Sequence, residues 1–227
     1  MKKILLVSGC SFTTENYESI HHPEKDTSWD KWPKILAKTL NMDYVNLAKS
    51  GAGNEFICNS IIDEIETMDK SKIGLVIPAW SQCRRRDYQV HYARSNKTVW
   101  RHELYDLFGD TRYWITKSFK TYYFFQIYCE HYSIPYRQVQ MIELFKDNIE
   151  INPFKKERYD EFAKSEMYYK KLKNFVGETS GILSLQDVLT DKRRNKQKIK
   201  EFSISSEDWH PSENGQRLIA EYIYENI

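Results

Sequence analysis

Lys3-Ile4-Leu5-Leu6-Val7-Ser8-Gly9-Cys10-Ser11 opens the chain with an unbroken apolar run that stops at a glycine and a serine. A short run without polar alternation predicts a strand buried on both faces, over 3–8, as in a parallel sheet. Two more such runs follow, each after a helical pattern. Residues 29–40 (WDKWPKILAKTL) place Trp32, Ile35, Leu36, Thr39 and Leu40 on one helical face, with Ser28 as the expected N-cap. Residues 43–47 (DYVNL) predict a second strand, closed by the turn 49–53. Residues 54–68 carry Ile57, Ile61, Ile62 and Ile65 at helical spacing, and 73–79 (IGLVIPA) predict a third buried strand. The order is β-α-β-α-β, with connections too long for hairpins. That order implies a parallel sheet with helices on both faces.

Farther along, 116–132 reads as an aromatic helix, 136–142 (YRQVQMI) as a fourth strand, and 212–226 as a closing amphipathic helix with Leu218, Ile219, Tyr222 and Ile223 inward. Tyr122 to Phe125, and Met167-Tyr168-Tyr169, read as core stripes. Two stretches break the alternation: 84–115, rich in Arg, Tyr and Trp, and 143–206, which includes the basic run 192–200 (KRRNKQKIK). Both are expected as insertions covering one end of the sheet. The expected architecture is one domain over 1–227, a three-layer α/β/α fold with a short, flavodoxin-like parallel sheet of four or five strands.

Composition narrows the function classes. The 227 residues carry 34 Lys+Arg against 32 Asp+Glu, a net charge of +2, which lacks the overall basicity of a dedicated nucleic-acid binder. Aromatics at 15% exclude a disordered chain, which lacks them. No segment approaches the roughly 18 apolar residues of a membrane span. The apolar run at the N-terminus is too short for a signal peptide, so a cytoplasmic location is expected. The four cysteines, Cys10, Cys58, Cys83 and Cys129, form no CxxC pair and have no zinc-ligand spacing, and free thiols are expected.

Three turns carry chemistry-bearing residues. Ser11 follows the first strand and Gly9, at the carboxyl end where open α/β sheets bind ligands. The stretch lacks the second glycine of a G-x-S-x-G elbow and the glycines and lysine of a P-loop. Glu207-Asp208-Trp209-His210-Pro211 precedes the last helix, which Pro211 is expected to start. An acid beside His210 can orient its imidazole through Nδ1 and leave Nε2 to take a proton from a serine. Asn46-Leu47-Ala48-Lys49-Ser50-Gly51-Ala52-Gly53-Asn54 joins the second strand to its helix, where backbone N–H groups and the Asn54 amide can face an anion. Each turn alone also suits an ordinary loop, a helix entry or a capping asparagine. Together they supply a nucleophile, an oriented base and oxyanion donors, the inventory of acyl transfer.

With these residues in place the chain resembles the SGNH/GDSL hydrolase family. Gly9-Cys10-Ser11 is similar to its Gly-Asp-Ser block, with Cys10 in place of the aspartate. Asn46 through Gly51 resembles the second block, and Asp208-Trp209-His210-Pro211 with Gly215 the last. Gly53-Asn54 and Ala79-Trp80-Ser81 followed by arginines resemble uncharacterised members associated with bacteriophage genomes, which would put the protein in a host cytoplasm. The resemblance implies an esterase with Ser11 as nucleophile, His210 as base, Asp208 as its acid with Glu207 as the alternate, and the N–H groups of Ser11 and Gly51 in the oxyanion hole. It implies no cofactor and no metal. The family's third block, Gly-x-Asn, is absent. Pro78-Ala79-Trp80-Ser81-Gln82 stands there, so Asn54 or Gln82 is the expected replacement donor.

Cys10 as a thiol nucleophile is a lesser alternative, because neighbours along a strand end point to opposite sides. Arg84-Arg85-Arg86 with Trp80, Tyr88, Tyr92, Trp100, Tyr105, Tyr113 and Trp114 suit either a lid over an anionic or sugar-like substrate or a solvated, core-packed loop. The basic run 192–200 reads as a solvated segment. The expected substrate is a small-molecule or carbohydrate ester, preferably an O-acetyl group on a carbohydrate, with no membrane or nucleic-acid partner. A binding protein on the same fold, holding a polysaccharide or a protein, is the alternative function.

Overall fold

The computed structural model describes residues 2–92, 97–104, 110–144, 153–176 and 199–227. The sheet is built from β1 (Ile4–Ser8), β2 (Asp43–Asn46), β3 (Ile73–Trp80) and β6 (Val139–Gln140), in the order β2-β1-β3-β6. All its pairings are parallel. Beyond β6, Gln138 makes a further parallel bridge to Phe175. With that edge the spatial order is the flavodoxin-like one, whose switch point falls between β1 and β3. Ser11 therefore emerges where the chain reverses its direction of winding, the place open α/β sheets use for ligands.

Helix α1 (Trp32–Thr39) packs on α6 (Glu213–Glu225), and α2 (Asn54–Thr67) packs on α3 (Thr111–His131). Leu5, Leu6, Val7, Val76 and Ile77 of the central strands are fully buried between these pairs, as expected of a strand covered on both faces. The sheet with its flanking helices is the α/β/α architecture that the alternation of runs implies.

Several local expectations change. Ser28 is not the cap of α1; Lys31 holds the N-cap position, and Pro33 lies in the first turn. Ser28 instead closes a turn, its N–H donating to Asp26 Oδ1 at 2.8 Å. The first free N–H of α1, on Trp32, is taken by Gln216 Oε1 of α6 at 2.9 Å. Pro211 does not start α6: Ser212 caps it, Oγ accepting from Gly215 N–H, while Pro211 pairs with Ser203. Phe124 and Met167 are exposed, so only Tyr122 and Phe125 of the first stripe are core, and Tyr169 sits in a 3₁₀ turn.

The stretch 84–115 is more regular than an irregular cover. It forms an antiparallel hairpin, β4 (Arg85–Tyr92) with β5 (Lys97–Leu104), and then enters α3 five residues earlier than expected. In 143–206 the described parts are α4 (Pro153–Ser165), packed on α3, the edge segment at Phe175, and α5 (Ile199–Phe202), packed on α6. Tyr105 and residues 192–198 of the basic run lie outside the described residues. No helix among the described residues is long and apolar enough to cross a membrane.

Candidate active site

Ser11 sits in a tight turn after β1, in which the N–H groups of Thr13 and Thr14 both donate to Cys10 O, at 2.9 and 3.1 Å. Gly9 is required by close approach: a Cβ there would stand 2.5 Å from Thr13 Oγ1 and 3.0 Å from Ala79 Cβ. Cys10 is wholly buried in the core and Ser11 faces the pocket, so the alternation of neighbours resolves in favour of the hydroxyl. Cys58, Cys83 and Cys129 are also buried and free, and burial pushes the Cys83 and Cys129 thiols up to about 12. Such thiols are poor nucleophiles.

His210 reaches Ser11 across almost the whole sequence. Its Nε2 lies 2.8 Å from Ser11 Oγ, and its Nδ1 lies 2.6 Å from Asp208 Oδ1. The same Asp208 oxygen accepts the His210 backbone N–H at 3.0 Å. Of the two acids considered, Asp208 makes the contact; the Glu207 side chain is 71% exposed. The two-residue spacing works because 203–212 folds back on itself, with Ile204 N–H on His210 O and Ser205 N–H on Asp208 O.

Asp208 is 2% exposed. Burial alone would raise its pKa, but hydrogen bonds from Ser19, from the His210 backbone and from the His210 ring outweigh it and hold the carboxyl at about 2. Its second oxygen accepts from Tyr17 OH at 2.9 Å and from Ser19 Oγ. Tyr17 also stacks on the imidazole, and its own ionisation is pushed up, first by burial and then by the Asp208 carboxylate. Ser205 Oγ accepts the N–H groups of Glu207 and Asp208 and lies 2.8 Å from His22 Nε2. The loop after β1 thus embraces the loop before α6. Tyr17, Ser19 and His22 are neighbours of the His210 loop that the sequence did not reveal, because 13–28 has no periodicity and reads only as a polar connection.

The turn after β2 is held against the end of β1: Leu47 N–H donates to Val7 O and Lys49 N–H to Gly9 O, extending the strand pairing toward Ser11. Gly51 follows with φ +81°, a left-handed conformation that glycine adopts freely. Asn46 braces this corner by donating to Thr13 O and Glu15 Oε1. The hairpin completes it. Gly53 leaves α2 without a side-chain cap, and Asp87 of β4 supplies one, accepting Gly53 N–H at 2.9 Å and Phe56 N–H at 2.7 Å. Asp87 Oδ1 also meets His102 Nδ1 at 2.7 Å, and the Cβ of His102 is the nearest neighbour a side chain at Gly51 would touch.

Asn54 does not reach Ser11. Its amide is buried beneath β3, where Nδ2 donates to Ser81 O, Ser118 Oγ and Tyr122 OH and Oδ1 accepts from Ser81 N–H at 2.8 Å. Its amide N–H groups are engaged in the core rather than turned to an anion beside Ser11. Gln82, the other candidate, lies in the wall of the pocket of about 260 Å³ that opens beside Ser11. Phe12, Tyr17, Ile20, Arg85, Ile142 and Trp209 complete most of that wall, and neither Gly51 nor Asn54 is part of it. Of the three arginines, Arg84 is turned to Thr111 and Arg85 alone lines the pocket, while Trp80 is core. Among the described residues no cluster of His, Cys, Asp and Glu could hold a metal ion.

A scan against protein-family models finds no match, and a search of curated proteins finds none. Solved structures do match. The psychrotrophic esterase EstA of a Pseudoalteromonas species, in a structure inhibited by monoethylphosphonate, superposes with a TM-score of 0.56 at 9% identity, covering 99% of this chain and 96% of that one. A structure from Desulfitobacterium hafniense DCB-2, assigned to the G-D-S-L lipolytic family, gives a TM-score of 0.56 at 14% identity over the full length of both chains. At these identities the likeness is one of fold: the chain has the fold of the SGNH/GDSL hydrolases.

Proposed function

We propose that the protein is a carboxylic ester hydrolase acting through Ser11, His210 and Asp208. The observation that carries this reading is the continuous hydrogen-bond chain from Ser11 Oγ through both ring nitrogens of His210 to a buried carboxylate. Asp208 holds the tautomer with the proton on Nδ1, so Nε2 is free to accept. Ser11 Oγ attacks the ester carbonyl as its proton passes to Nε2. The imidazolium, paired with Asp208, returns that proton to the departing alcohol. Water then attacks the acyl carbon as its proton passes to His210, and His210 returns that proton to Ser11 Oγ as the acyl–Oγ bond breaks and the acid leaves. The oxyanion is held by the N–H of Ser11 and the Gln82 amide, with the Gly51 N–H as a further donor from the adjoining turn.

The preferred substrate is an O-acetyl group on a carbohydrate. A pocket with aromatic and aliphatic walls around a few polar groups suits a sugar face and a small acyl group. The test is hydrolysis of p-nitrophenyl acetate by the wild type and by Ser11→Ala, with labelling by a reactive ethyl phosphonate ester followed by mass spectrometry. Turnover that disappears in the variant, and an adduct mapped to Ser11, are expected. Equal turnover by both proteins would remove the esterase reading and leave a binding protein on this fold.

A further inference from the structure

Arg85 opens β4 and contributes to the wall of the Ser11 pocket. Among the described residues its guanidinium meets one acceptor, the Ala52 carbonyl, at 3.1 Å from Nη1. A guanidinium carries five N–H donors in a planar fork. Anchoring the hairpin does not require them, because Asp87, two residues on, already fixes β4 to α2 with both carboxylate oxygens. The remaining donors belong to a half-buried cation in the wall of the pocket that Ser11 also lines; Arg85 further borders a smaller pocket with Glu55 and Lys117, which pair with each other at 2.9 Å.

Among the described residues, neither acid in the pocket wall, Asp208 or Glu207, makes an ion pair with that cation. Asp208 is engaged by His210, Tyr17 and Ser19. Glu207 extends into solvent, with its carboxylate 3.9 Å from His22 Nε2. Phe12, Ile20, Ile142 and Trp209 give the wall its apolar part, and Tyr17, His21 and Gln82 its neutral polar part. A partly dehydrated arginine in such a setting gains most from a planar anion brought by a ligand.

We infer that Arg85 is a specificity-determining residue that reads a carboxylate carried by the substrate close to its ester. This rests on the esterase reading and narrows it: the favoured substrate is an acidic ester, such as an acetylated acidic sugar, rather than a neutral one. The neutral part lies against the apolar walls while the carboxylate meets the open edge of the guanidinium.

The test separates binding from turnover. Ser11→Ala protein keeps the pocket and hydrolyses nothing, so ester binding can be measured by calorimetry. The probes are monomethyl succinate and monomethyl glutarate against their dimethyl esters, which differ in charge at nearly constant size. Tighter binding of at least one monoanion, by about tenfold, is expected for a charge-assisted contact. The preference disappears when Arg85→Gln is added and survives in part with Arg85→Lys. Gln retains a donor for Ala52 O, and a thermal melt unchanged from the parent confirms that the hairpin is still docked. Equal binding of charged and neutral esters, no binding of any, or a preference that persists in Arg85→Gln each overturns the inference. If p-nitrophenyl acetate turnover is the same with and without Ser11, the esterase reading fails. If turnover depends on Ser11 and the charge preference is absent, the inference about Arg85 alone fails.

Discussion

Tyr17 lies flat against His210, with ring centroids 3.9 Å apart and planes 26° from parallel, while its hydroxyl donates to the carboxylate that orients the same imidazole. One side chain thus restrains the ring in two ways, by stacking and through its partner. The two can be separated by mutation. Tyr17→Phe keeps the stack and removes one of several donors to Asp208, so kcat falls only a few-fold, the worth of one hydrogen bond. Tyr17→Ala removes both and costs about tenfold more, because the imidazole gains freedom to rotate away from Ser11. Steady-state kinetics on an activated ester, with KM little changed in Tyr17→Phe, measures this.

Asp208 and Glu207 stand at adjacent positions and differ in burial. Asp208→Asn leaves a side chain that can no longer hold the Nδ1 proton, and kcat is expected to fall by about 10⁴, as in the serine-protease worked case. Glu207→Gln changes an exposed group outside the hydrogen-bond chain and leaves kcat unchanged. If the two variants reverse this order in a progress-curve assay, Glu207 is the orienting acid.

Much of this arrangement is legible in the chain, and the reason is local. Leu5 to Val7 and Val76-Ile77 announce a buried parallel sheet because strands covered on both faces have no polar alternation. Ser11 and His210 could be paired because each lies on a turn beside a regular element. Several of the misreadings are tertiary. Asn54 looks like an oxyanion donor until β3 and α3 surround it with Ser81, Ser118 and Tyr122. Ser28 looks like a cap until Gln216, 184 positions beyond Trp32, takes the helix donor. Tyr17 and Ser19 acquire a role only when a loop without periodicity folds over Asp208. Propensity and period describe neighbours in sequence, and these contacts are between neighbours in space.

Asp87 connects the hairpin to the turn that carries Gly51. Asp87→Asn replaces an acceptor oxygen by an amide nitrogen, leaving at least one of the Gly53 and Phe56 N–H groups or His102 unpaired in a buried place. A loss of about 1–3 kcal/mol in urea denaturation is expected. Because the displaced turn adjoins the proposed oxyanion site rather than the pocket wall, kcat falls while KM holds. A variant that loses stability with kcat intact would make Asp87 a purely structural cap.

The pH dependence of stability carries a sign. Asp208 has a folded-state pKa of about 2 against 3.8 for an unperturbed aspartate. The folded state therefore binds this proton less readily than the unfolded chain. Its contribution to stability is fully present above about pH 4 and is lost as the pH falls toward 2. Urea midpoints of the wild type and Asp208→Asn should converge over that window, and a gap that widens on acidification contradicts the assignment. Because Asp208 stays ionised throughout the neutral and mildly acidic range, it adds no protonation step of its own to the acid limb of kcat/KM there.

Asn54 and Gln82 divide the work that one residue was expected to do, and a pair of variants tests the division. Asn54→Ala strips Ser81 N–H and O, Ser118 and Tyr122 of a common partner inside the core. Each buried polar group left unpaired costs about 1–3 kcal/mol, so the melting temperature drops by several degrees. Ser11 and His210 are not among its contacts, so kcat measured well below the melt should stay near the wild-type value. Gln82→Ala does the opposite. The side chain lines the pocket, and its removal barely alters the melt, but the loss of an oxyanion donor lowers kcat by about 10²–10³. Differential scanning fluorimetry and ester kinetics on the same two proteins give four numbers. A fall in kcat with Asn54→Ala but none with Gln82→Ala would return the donor role to Asn54.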